Sequence, residues 1–298
     1  MVISLGSNAM WKLSKFVAVC AMLTLSTCGF AQEEEQAQAK KSVSEQLLAQ
    51  HFPPAEVKWF DSASGKFLVL QRDYMAATRH GVAIILSDMT TPLNNPELIE
   101  NLRTGLTEKG WMTLSIMPPS AHLLNEVSPS SEETGANAAE AASDPQANSS
   151  ETNNPYTLEL ISRLNSALNT AGQISKHSVL IIQGRQIAYL TKALSSKHLR
   201  PPSGIVILDA HVAFATLTND ELATTQQKLA NQITKLNIPV LDVYQIERPT
   251  TLETMRQRKL FSNKNRHPDY RQTELVSSHN DELLVKTLYG WFRHLGLN

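Results

Sequence analysis

From residue 81 onward the chain alternates between two kinds of segment, and this alternation limits the fold more than anything else in the sequence. Short, nearly unbroken apolar runs are one kind: GVAIILSD at 81–88, WMTLSIMPP at 111–119, GIVILDAH at 204–211 and PVLDVYQ at 239–245. Such runs suit strands buried on both faces. Between them lie segments with helical spacing. Leu98, Leu102 and Leu106 recur every four residues in 95–110, with Gly110 placed for a C-cap. Leu284, Leu288, Trp291 and Leu295 form a similar apolar stripe in 281–296. Further helices are expected at 155–171, 185–197, 219–236 and near 250–262, and further strands at 178–183 and 270–276. Regular strand–helix alternation implies right-handed crossovers, hence an α/β fold with a mostly parallel sheet and helices on both faces. Ahead of it, EVKWF and KFLVLQRD flank the turn DSASG, which reads as an antiparallel hairpin. The total is a sheet of about eight strands.

Composition removes several function classes. A chain of 298 residues with 42% hydrophobic content can build one large α/β domain or two small ones. Net charge is −1 and the cations are scattered, so no nucleic-acid partner is expected. Cys20 and Cys28 are the only cysteines. A chain cleaved after residue 31 would have no cysteine nucleophile, zinc–thiolate site or iron–sulfur cluster. No Walker loop or G-x-G-x-x-G follows a strand, so no nucleotide cofactor is expected.

The N-terminus reads as a targeting segment. Lys12 and Lys15 precede the apolar run FVAVCAMLTLSTCGFA at 16–31, and Gly29-Phe30-Ala31 fits cleavage after Ala31. A start at Met10 gives the cleaner signal peptide. Leu25-Ser26-Thr27-Cys28 offers an alternative, a lipoprotein anchored through Cys28. Either way the mature chain is expected outside the cytoplasm, periplasmic or otherwise exported, with no transmembrane span. Residues 32–50 form a polar tail, and 51–298 a single domain. Residues 126–154 interrupt that domain with almost no large apolar side chains, so a disordered insertion is expected there.

The order of elements, two antiparallel strands and then six strand–helix units, resembles that of the α/β-hydrolases. GVAIILSDMTTPLNNPELIENLRTGLTEKGWMTLSIMPP, IPVLDVYQIERPTTLETMRQRKL and YRQTELVSSHNDELLVKTLYGWFRHLGL sharpen the resemblance. They look like an envelope-associated proteobacterial family of unknown function that is classed with α/β-hydrolases.

The resemblance assigns stations residue by residue. The nucleophile motif G-x-S-x-G falls on Gly184-Arg185-Gln186-Ile187-Ala188, with Gln186 at the nucleophile position. An amide is no nucleophile. The base falls on His279, after the last strand. The acid falls on Glu247, with Asp242 as the other candidate. The oxyanion loop falls on Ser87-Asp88-Met89, where the Asp88 charge has the wrong sign for a developing oxyanion.

Two readings follow. In the first, an exported α/β-hydrolase-like protein has lost serine-hydrolase chemistry and binds a small molecule or an envelope partner. Gly184, Arg185, Gln186 and Asp88 are then its binding candidates, and Gln186 should project from the turn toward His279. In the second, an esterase-type enzyme uses Ser87 with His279. Asp88, Glu247 and His279 lack metal-ligand spacing, so no metal is expected. RQRKLFSNKNRHPDYR at 256–271 is locally basic and suits either a solvated face or an anionic partner.

Overall fold

The computed structural model describes residues 44–89, 98–124, 154–196, 199–212, 218–245, 249–275 and 281–297. The expected signal segment and residues 126–153 of the expected insertion lie outside them. The chain divides into a unit ending at Leu48, helical from residue 44, and a unit Ala49–Asn298 that holds the sheet.

The hairpin is β1 (Val57–Ser62) and β2 (Gly65–Arg72). The remaining strands are β3 (Gly81–Leu86), β4 (Trp111–Ile116), β5 (Ser178–Gln183), β6 (Gly204–Leu208), β7 (Val240–Gln245) and β8 (Tyr270–Leu275). They form one sheet in the order β1-β2-β4-β3-β5-β6-β7-β8. β2 runs antiparallel to β1 and β4, and all other pairs are parallel. Chain order steps from β3 to β4 on one side and returns to β5 on the other. The carboxyl ends of β3 and β5 therefore meet at a topological switch point, where open α/β sheets bind ligands.

The helices are α1 (Ile99–Glu108), α2 (Pro155–Ile174), α3 (Gln186–Ser195), α4 (Asn219–Ile233), α5 (Pro249–Lys264) and α6 (Asp281–His294). Local chemistry starts them where the sequence suggests. Asn154 caps α2 through the Tyr156 N–H, with Pro155 in the first turn. Thr218 and Glu221 form a reciprocal capping box on α4. Among the helices of the described residues, none is long and apolar enough to cross a membrane.

Strand alternation divides the core into two layers. Val82, Ile84, Leu86, Leu180 and Ile182 pack with Leu160, Leu164, Ile187, Leu190 and Ile233. Ala83, Ile85, Val179 and Ile181 pack with Leu102, Leu106, Leu284, Leu288 and Trp291 on the other face. The central strands are buried on both faces, which explains their unbroken apolar runs. β6 is shorter than its run because Asp209, at φ 47°, turns the chain out of the sheet.

Candidate site at the switch point

β5 ends at Gln183 and α3 begins at Gln186, so the strand–helix frame is present. The residue with left-handed backbone is Gly184, at φ 61°, while Arg185 is already helical at φ −74° and ψ −15°. The sharp turn that mounts a hydrolase nucleophile thus falls two residues before Gln186. The difference has a simple origin. Motif spacing counts from a glycine, whereas the backbone turns directly after the strand.

Gln186 consequently does not project from the turn. It sits in the first turn of α3 with 0% exposure, and its Oε1 accepts a hydrogen bond from the Tyr156 hydroxyl at 2.9 Å. Its Nε2 is buried with no hydrogen-bond partner among the described residues. Burial pushes the Tyr156 hydroxyl well above its ordinary pKa, so it stays protonated and donates.

Asp88 occupies the space in front of the turn. A Cβ built on Gly184 would stand 2.6 Å from the Asp88 Cγ. The Asp88 Oδ1 accepts the Arg185 backbone N–H at 3.2 Å, and the Arg185 Nε lies 3.8 Å from the same oxygen. The exchange is reciprocal across the strands, because the Asp88 N–H donates to Gln183 Oε1 at 3.3 Å. In an α/β-hydrolase the oxyanion is held by the N–H of the residue after the nucleophile and by an N–H from the loop after β3. The corresponding N–H groups here, of Arg185 and Asp88, bond to acceptors of the chain itself. Ser87 is fully buried, and its Oγ has no hydrogen-bond partner among the described residues.

Of the acid and base candidates, Glu247 and His279 lie outside the described residues. Asp242 is fully buried in β7, and its carboxylate faces other partners than an imidazole. Both oxygens accept from Arg258 Nη1 at 3.0 Å, and Oδ2 also accepts from the hydroxyls of Tyr244 (2.5 Å) and Tyr270 (2.6 Å). Arg258 Nη2 donates to the Ala210 carbonyl at 2.8 Å. Gln272 Nε2 bonds to both tyrosine hydroxyls and to the Met255 carbonyl. Burial and then the Asp242 charge raise both tyrosine pKa values. Burial works against the Arg258 charge, but Asp242 outweighs it and keeps the guanidinium protonated. The cluster ties α5 to β6, β7 and β8.

Beside the cluster a cleft opens at the carboxyl ends of β6 and β7. It is lined by Asp209, His211, Gln226, Thr251, Thr254 and Arg258, among others. His211 Nδ1 donates to the Asp209 carbonyl at 2.9 Å, since a carbonyl oxygen can only accept. None of the six is an individual site candidate from sequence. The hints are that GIVILDAH ends in polar residues and that Arg258 lies in the basic run at 256–271. Among the described residues no group of His, Cys, Asp or Glu is arranged to hold a metal ion.

Solved structures with the same architecture include esterases. Est1E from Butyrivibrio proteoclasticus is 9% identical, with a TM-score of 0.53 over 82% of this chain and all (100%) of that one. The esterase domain of a Rhodothermus marinus protein is 12% identical, with a TM-score of 0.51 over 80% and 97%. The esterase Pf2001 of Pyrococcus furiosus is 12% identical, with a TM-score of 0.51 over 82% and 95%. At such identities the likeness establishes the α/β-hydrolase fold and nothing of the chemistry. No curated protein matches the sequence. A family model described as "Protein of unknown function (DUF3530)" matches residues 14–294, and the chain belongs to that family.

Proposed function

We propose that this chain is a non-catalytic α/β-hydrolase-like protein of the cell envelope, whose switch point has been converted from serine-hydrolase chemistry to a closed structural clasp, and which acts by binding a small molecule or a partner. One observation carries the reading. The elbow residue is Gly184, and the Asp88 carboxylate fills the space ahead of it while holding the Arg185 N–H. A glycine supplies no nucleophile. A fixed carboxylate on an oxyanion donor opposes the charge that an acyl-transfer transition state develops there, where one good donor is worth about 3 kcal/mol. The cleft at β6 and β7 is the candidate ligand site, since it opens on the carboxyl edge of the sheet. Export rests on Lys12, Lys15 and the apolar run at 16–31.

The alternative nucleophile, Ser87, is disfavoured by its burial and, among the described residues, by the lack of a hydrogen-bond partner that could act as its base. The test is hydrolysis of short activated esters by the purified chain and by its Ser87→Ala and His279→Ala variants. No turnover above the uncatalysed rate is expected. Turnover that disappears in both variants would establish Ser87 as the nucleophile and end the non-catalytic reading.

A further inference from the structure

Helix α5 is built inside out. Its buried residues are polar: Thr251, Arg258 and Ser262. Its leucines face solvent, Leu252 at 49% and Leu260 at 69% exposure. An isolated exposed leucine is ordinary, whereas buried polar groups opposite exposed leucines on one helix are not. The inner face is accounted for by the Asp242 cluster, which needs Arg258 inside. Among the described residues, nothing in the packing accounts for the outer face.

That outer face has a pattern. Leu252, Arg256, Leu260 and Lys264 follow one another at four-residue intervals, all exposed, so they form one stripe along the helix. Lys259 is exposed next to Leu260, and Lys264 lies over the Phe261 ring, 5.7 Å from its centre. Glu253 is the one acidic residue of the helix. The helix end adds another cation. His267 N–H bonds to the Ser262 carbonyl and Arg266 N–H to the Asn263 carbonyl, which is the Schellman arrangement. Arg266 holds its left-handed position at φ 50°. The last helix ends the same way, but with Gly296 at φ 71°. An arginine at such a position is strained where glycine is not.

We propose that the outer face of α5 docks on an anionic lipid surface, with the helix lying parallel to it, Leu260 and Leu252 entering the interface, and Arg256, Lys259, Lys264 and Arg266 meeting the headgroups. Charge complementarity selects the occupant: four exposed cations accompany two exposed leucines along a helix about 24 Å long. Leucines set among cations favour a lipid interface, where the apolar side chains can enter the boundary below the headgroups that the cations meet.

The experiment is sedimentation of the full chain with vesicles of equal parts phosphatidylglycerol and phosphatidylcholine, against vesicles of phosphatidylcholine alone. The wild type is expected to bind the anionic vesicles only, and less as salt is raised. Arg256→Glu and Lys259→Glu should each weaken binding about fivefold or more, and Leu260→Glu about tenfold. Arg266→Gly is the sharpest variant. Relief of the left-handed arginine should raise Tm by about two degrees while binding falls, a combination that damage to the fold cannot produce. Equal binding to neutral vesicles would overturn the proposal. So would binding unaffected by these variants, as expected if the apolar run at 16–31 were responsible. Salt-dependent binding to polyglutamate without binding to vesicles would also overturn it, in favour of an acidic protein partner.

Discussion

Gly184 is constrained twice. Its φ of 61° suits glycine, and the space a side chain would need is taken by Asp88. Gly184→Ala should therefore destabilise the chain by about 1–3 kcal/mol, from strain and overpacking together. Asp88→Gly removes the obstruction but not the strain, so the two changes should not add. Urea unfolding of both single variants and the double variant should give a coupling of about 1 kcal/mol or more. Simple additivity would show that the two residues do not meet. Asp242 makes a different kind of demand. Asp242→Asn leaves Arg258 charged, buried and without its counter-ion, which should lower stability by about 3–5 kcal/mol. Tyr270→Phe removes one of several bonds to that carboxylate and should have a smaller effect, about 1 kcal/mol.

Among the elements, the turn between β1 and β2 is pinned to α2 by one carboxylate. Glu159 accepts from Ser62 Oγ at 2.7 Å, the Ser64 N–H at 3.2 Å and Arg163 Nε at 2.8 Å. Burial alone would raise its pKa, but these bonds outweigh burial and hold it below its ordinary value of 4.5. A carboxylate depressed by folding contributes stability that is complete above the unfolded value and is lost as pH falls through the folded one. The wild type should therefore lose its advantage over Glu159→Gln below about pH 4.5. A gap in Tm that stays constant down through that range would count against the pairing. The elements themselves were largely legible in the sequence. Unbroken apolar runs located the central strands because those strands are covered on both faces, and four-residue leucine spacing located α1 and α6 because each presents one face to the core. The site was less legible. Gln186 was assigned by counting from Gly184, but which residue takes the left-handed turn depends on where β5 ends, and that register is set by pairing with β3 and β6. The Asp242 cluster was hidden for another reason. Its members are scattered from residue 210 to 272, and only the sheet brings them together.

At the scale of the whole molecule, the described sheet is continuous from β1 to β8, and the expected insertion falls between Leu124 and the Asn154 cap of α2. Its composition offers little to a core, and the entropy of closing a loop changes by only about 0.6 kcal/mol for each doubling of length. Excising residues 126–153 should thus leave Tm within about two degrees of the parent. A much larger fall would mean that the segment packs against the domain. The clasp between β3 and β5 also bears on how such a chain can change over generations. Introducing a serine at position 184 while Asp88 is present forces a side chain into an occupied space. Removing Asp88 first frees the Arg185 N–H but provides no attacking group. On the non-catalytic reading proposed above, neither intermediate would gain activity, and the first would lose stability. Single mutations in sequence would then offer selection no rising path toward hydrolysis, and a lineage carrying this pair would be held in its role by the order in which mutations must arrive.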